Sequence, residues 1–83
     1  MKEIILYTQP DCPPCEIIKK FLNEYGYSFT IKDIKKDTGA HKELTEQYNS
    51  FSTPTIIIGN TVIRGFDLEK LKSVLQIKES KRA

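Results

Sequence analysis

The chain reads as a small α/β protein in which one mixed sheet carries helices on both faces. Three observations predict it. Ile4-Ile5-Leu6-Tyr7 and Thr55-Ile56-Ile57-Ile58 are unbroken apolar runs, which suit strands covered on both faces. A segment of helical period lies between two strand-like runs, the pattern of a parallel crossover. Gly59-Asn60 separates Thr55–Ile58 from Thr61–Arg64, the signal of a two-residue hairpin and so of an antiparallel pair. At 83 residues there is room for one domain with a modest core.

In order, Ile4 to Thr8 is the first strand. From Cys15 the apolar residues Ile17, Ile18, Phe21, Leu22 and Tyr25 recur at helical spacing, opposite Glu16, Lys19, Lys20, Asn23 and Glu24. A helix from Glu16 to Tyr25 follows, with Gly26 as its C′ residue. Ser28 to Ile34 alternates, placing Phe29 and Ile31 on one face of a half-buried edge strand. Asp37 or Thr38 caps a short second helix whose thin stripe is Ala40, Leu44 and Tyr48. Phe51-Ser52-Thr53-Pro54 breaks it. The strand pair 55–58 and 61–64 comes next, and Asp67 caps a last helix presenting Leu68, Leu71, Val74 and Leu75. The domain is expected to span 1–77, and 78–83 to form a charged tail with nothing to pack. The order is β-α-β-α-β-β-α.

A net charge of +2 with no basic cluster among aromatics argues against nucleic acid. No run is long enough for a membrane span, and the apolar run near the N-terminus is too short for a signal peptide. The expectation is a cytoplasmic monomer. The two cysteines, Cys12 and Cys15, sit where the first strand hands over to the first helix. A thiol at a helix N-terminus faces unpaired N–H groups and the positive end of the helix dipole, and both favour the nucleophilic thiolate. A second thiol one turn on can reach the first. Two other roles stand beside redox chemistry. Half a zinc site needs two more ligands, and the chain offers only His41. A structural staple closing so short a loop stabilises by only ~2 kcal/mol. Cys12, which precedes the helix, is the better nucleophile. Pro13 and Pro14 lack N–H groups, so the N–H of Cys15 is the donor expected at the Cys12 sulfur.

Tyr7-Thr8-x-Pro10-x-Cys12-Pro13-x-Cys15, Thr53-Pro54 before a strand, and Gly65-Phe66-Asp67 before the last helix together resemble the glutaredoxins. The resemblance covers about Ile4 to Leu75. It implies the minimal thioredoxin fold, with strand order 2-1-3-4, helices one and three on one face and helix two on the other. It implies dithiol–disulfide exchange at Cys12 and Cys15 without a metal or organic cofactor. Gly65-Phe66 also looks like the NrdH-type redoxins, which are reduced by thioredoxin reductase and serve ribonucleotide reductase. The resemblance further implies a cis Thr53–Pro54 bond opposite the cysteines. That would leave the Thr53 backbone free to pair with an extended substrate.

Substrate-binding roles fall on Gln9, Pro13, Pro14, Thr53, Pro54, Arg64, Gly65, Phe66 and Asp67. Asp67 would accept from the amino group of glutathione as well as cap its helix, and Phe66 is either core or an exposed ring beside the site that grips a partner protein. The chain departs from the family at three places. Gln9 stands where many glutaredoxins carry Lys, Pro14 replaces the Tyr of Cys-Pro-Tyr-Cys, and Arg64-Gly65-Phe66-Asp67-Leu68 replaces Gly-Gly-x-Asp-Asp. Arg64 is the one added cation. These departures weigh toward thioredoxin reductase rather than glutathione as electron donor. The alternative is a glutaredoxin-like Fe–S carrier, binding a cluster between two protomers through Cys12 and glutathione. Proline after Cys12 and the lack of a Cys-Gly-Phe-Ser form count against it; brown colour after anaerobic purification would support it.

Overall fold

The computed structural model describes residues 3–75; the boundary at Ile77 and the tail 78–83 lie outside the described residues. The elements are β1 (Ile4–Thr8), α1 (Pro13–Glu24), β2 (Thr30–Asp33), α2 (Thr38–Lys42) continued by a π-helical turn (Glu43–Gln47), β3 (Thr55–Ile58), β4 (Thr61–Arg64) and α3 (Leu68–Leu75). The sheet order is β2-β1-β3-β4. β1 and β2 are parallel, whereas β1–β3 and β3–β4 are antiparallel. This is the four-stranded arrangement expected from the sequence. Among the described residues no helix is long and apolar enough to cross a membrane.

Strand alternation divides the core in two. Ile4, Leu6, Ile56, Ile58 and Ile63 meet Ile18 and Leu22 of α1 and Leu71 of α3 on one face. Tyr7 and Ile57 meet Ala40 and Leu44 on the other. Helices one and three therefore share a face and helix two takes the opposite one. Both central strands are covered on both sides, so their apolar runs need no polar alternation.

Local chemistry sets the element ends. α1 begins at Pro13, three residues before the start expected from Glu16. Prolines at N1 and N2 lack donors that the first turn would leave unpaired anyway, and their fixed φ is already helical. At the other end Gly26 has φ +76°. Its N–H bonds to the Asn23 carbonyl and that of Tyr27 to the Leu22 carbonyl, the paired closure of a Schellman motif. Asp37 is the cap of α2, accepting from the N–H groups of Gly39 and Ala40. In the π-helical turn Tyr48 N–H reaches back five residues to the Glu43 carbonyl. A stripe spaced by four residues drifts around a 3.6-residue helix, and the wider turn keeps Tyr48 against the cluster that holds Ala40 and Leu44.

Two expectations need correcting. Ile17 is 48% exposed and Ile31 49%. Ile17 lies at the margin of an apolar arc wider than the contact α1 makes with the sheet. Ile31 belongs to an edge strand, outboard of the cluster centred on β1 and β3.

Candidate active site

The chain leaves β1 at Thr8 and turns through Asp11, which takes φ 59°, before entering α1. Cys12 is the N-cap residue of that helix. It forms a disulfide with Cys15, the Cα atoms 5.3 Å apart. The N–H of Cys15 donates to the Cys12 Sγ at 3.3 Å, the donor left available once Pro13 and Pro14 occupy the two positions between. Cys12 is 9% exposed and Cys15 fully buried, so an incoming disulfide meets Cys12 first.

Opposite the helix end stands the loop before β3. The Thr53–Pro54 peptide bond is cis. The Thr53 hydroxyl points at the Cys12 Sγ, with Oγ1 3.6 Å away. The sequence drew attention to the Thr53 backbone and missed this hydroxyl, because a contact across 41 residues leaves no local pattern. Among the described residues nothing pairs with the Thr53 backbone N–H or C=O. The Pro54 carbonyl accepts from Gly65 N–H at 2.9 Å. Gly65, at φ +80°, thus fastens the end of β4 to the Thr53–Pro54 loop.

The remaining predicted residues are distributed around this centre. Pro13 is exposed and Pro14 partly so, while Gln9 is half-buried. Phe66 is 48% exposed beside Gly65. Asp67 Oδ1 accepts from Lys70 N–H at 3.0 Å, the capping role. Arg64 is not an unengaged cation, since its Nη2 donates to the Tyr48 carbonyl at 2.8 Å. Glu16, whose charge would oppose Cys12 ionisation, is paired with Lys19 at 2.9 Å. Phe51, two residues before Thr53, is 79% exposed; the sequence marked it only as a helix breaker. His41 is exposed on α2. Among the described residues no group of three or more His, Cys, Asp or Glu side chains is placed to hold a metal ion.

Two sulfur-directed donors, a fully buried Cys15 and a Cys12 that keeps 9% exposure make an arrangement suited to disulfide exchange. Donors aimed at Sγ stabilise the anionic sulfur more than the neutral thiol, and the buried partner is placed to resolve a mixed disulfide.

Comparison with known proteins agrees with this chemistry. The family model described as Glutaredoxin matches residues 4–63. A glutaredoxin of Neisseria meningitidis (serogroup A) is 35% identical over 75 residues, covering 87% of each chain. Among solved structures, the thioredoxin-like protein BC3987 superposes with TM-score 0.85 at 46% identity, over 87% of this chain and 99% of that one. The NrdH-redoxin of Escherichia coli shares the fold, with TM-score 0.75 at 23% identity over 87% and 93% of the two chains.

Proposed function

The chain belongs to the glutaredoxin family, and from that premise we propose that it is a cytosolic dithiol–disulfide oxidoreductase acting on protein or small-molecule disulfides. The observation that carries this reading is the Cys12 sulfur at the N-cap of α1, accessible and facing the Cys15 N–H and the Thr53 hydroxyl. In the reduced protein the Cys12 thiolate attacks one sulfur of the substrate disulfide. That bond breaks, and the departing sulfur leaves as a thiolate that takes up a proton. Cys15, having lost its proton, attacks Cys12 Sγ and expels the second substrate sulfur. The substrate gains two electrons and two protons, and the cysteines become the bridge seen in the structure. No metal or organic cofactor takes part.

A reductant must then reopen the bridge. Members of this family draw on glutathione or thioredoxin reductase, and the reading favours the reductase. Glutathione carries two carboxylates and an ammonium group, so a site for it needs fixed cations and an acceptor. Gln9 is neutral, Leu68 packs against the core, and the Arg64 guanidinium is engaged with Tyr48. A protein donor needs exposed backbone at Thr53, an apolar contact such as Phe66 and access to Cys12.

Replacing Cys12 by Ser is expected to abolish exchange, while Cys15→Ser retains attack and accumulates trapped mixed disulfides. Activity in Cys12→Ser would reverse the roles. Reduction by NADPH with thioredoxin reductase, run beside NADPH with glutathione and its reductase, tests the donor; faster turnover with glutathione would overturn that part.

A further inference from the structure

Two buried hydroxyls lie beneath the loop that carries Thr53. Ser50 is 2% exposed and Thr55 fully buried, with their oxygens 2.8 Å apart. Thr55 Oγ1 also donates to the Ser52 carbonyl at 2.8 Å. A hydroxyl has one proton to give. Thr55 spends its proton on Ser52, so the shared bond must run from Ser50 to Thr55. The result is a directed relay, Ser50 O–H to Thr55 O–H to Ser52 C=O.

The relay is anchored at both ends. Ser50 N–H bonds to the Leu44 carbonyl at 3.0 Å, tying the loop to the π-helical turn. Thr55 opens β3 and pairs with Tyr7 of β1 and Arg64 of β4. Asn49, at φ 52°, makes the reversal between the helical segment and the loop. With Ser52 C=O held from below and Pro54 C=O held by Gly65, the loop's backbone is fixed on either side of Thr53. Thr53 itself keeps its N–H and C=O unpaired among the described residues.

We infer that Ser50 and Thr55 are positioning residues, and that their relay holds Thr53 so that an extended peptide disulfide can pair with its backbone while reaching Cys12. The inference rests on the function proposed above. It separates two substrate classes by chemistry. A small disulfide needs only the Cys12 sulfur. A peptide disulfide also uses hydrogen bonds from a backbone at one fixed place. Loosening the loop therefore penalises the second class alone.

The test is single-turnover kinetics with pre-reduced protein, against an extended synthetic peptide disulfide and against bis(2-hydroxyethyl) disulfide. Thr55→Val keeps the shape and removes the hydroxyl. It is expected to slow the peptide reaction roughly three- to tenfold, the range for losing one hydrogen bond between the peptide and the Thr53 backbone, and to leave the small disulfide within about twofold. Thr55→Ser restores the hydroxyl and should recover the peptide rate. Ser50→Ala removes the first donor only and should shift the peptide rate in the same direction by less, which keeps the test open if Thr55→Val does not fold. Equal losses on both substrates, an unchanged peptide rate, or no rescue by Thr55→Ser would overturn the relay's role. A wild-type protein that reduces neither disulfide would overturn the proposed function, and the inference with it.

Discussion

The two faces of the sheet are built on different principles. Eight buried aliphatic residues join α1 and α3 to one face of the sheet. The cluster that joins α2 and its π-helical turn to the other face has four members, one of them Tyr7, and polar contacts brace it. The buried Tyr7 hydroxyl donates to Glu43 at 2.7 Å, and the Lys32 ammonium donates to the same carboxylate oxygen at 2.9 Å. Arg64 holds the Tyr48 carbonyl at the end of the π-helical turn. The first face holds the larger apolar cluster. The second carries the loop that presents Thr53, and its polar braces fix direction as well as proximity.

The largest expected effect breaks this contrast with the same substitution on each face. Leu22→Ala and Leu44→Ala both empty a fully buried position, and such changes cost about 2–5 kcal/mol. Leu22 is ringed by the larger cluster and should fall toward the top of that range. Leu44 belongs to a short, solvated helical segment that can settle toward the sheet when its side chain is cut back, which places it toward the bottom. Settling moves the carbonyl that holds Ser50, so Leu44→Ala should lose activity on peptide disulfides at a temperature where the protein is still folded. Denaturant melts paired with activity check both. Equal destabilisation, with activity following only the folded fraction, would dissolve the distinction.

The same contrast explains what the sequence disclosed. The apolar runs at 4–7 and 55–58 report directly on burial, the helical stripes do so apart from Ile17, and Gly59-Asn60 reports on the hairpin. Local spacing made these legible. The Thr53 hydroxyl at Cys12 and the Glu43 carboxylate between Tyr7 and Lys32 are contacts between residues in different elements. Polar side chains of that kind look like surface in the sequence until the fold brings them together. Phe51 reads only as part of a helix-breaking segment, and its spacing gives no sign that the ring stands 79% exposed beside the Thr53 loop.

A middle-sized effect concerns the polar brace. The Glu43 carboxyl is held below its ordinary value of 4.5, first by the Tyr7 hydroxyl and then by Lys32. Folding thus favours the ionised form. The stabilisation is present above pH 4.5 and is lost as pH falls through the lowered folded value. Lys32 is pushed above its ordinary 10.5 mainly by its hydrogen bond to Glu43, so its share persists below that pH and fades as pH rises through the raised value. Tyr7 shifts upward, chiefly from burial and then from Glu43. Glu43→Gln should therefore flatten the acid limb of stability below about pH 4.5. Because the Glu43 side chain is 41% exposed, the loss near neutral pH should be only of order 1 kcal/mol. An unchanged acid limb would show that the brace does not couple to folding.

The smallest effect supplies the control. Lys19–Glu16 and Lys32–Glu43 have the same 2.9 Å separation, so distance cannot distinguish them. Their surroundings do. Lys19–Glu16 runs along the outside of α1 with Glu16 69% exposed, where water and salt compete with the attraction and ordering two long side chains offsets what remains. Glu43 also accepts from a buried tyrosine hydroxyl, which fixes its carboxylate before Lys32 arrives. Lys19→Ala should change stability by no more than about 0.5 kcal/mol, partly because alanine is itself the better helix former. Salt should leave the already small difference smaller still. If Lys19→Ala proved as costly as Glu43→Gln, the brace would owe its strength to charge alone, and the buried Tyr7 hydroxyl would have no special part in holding the face that carries the Thr53 loop.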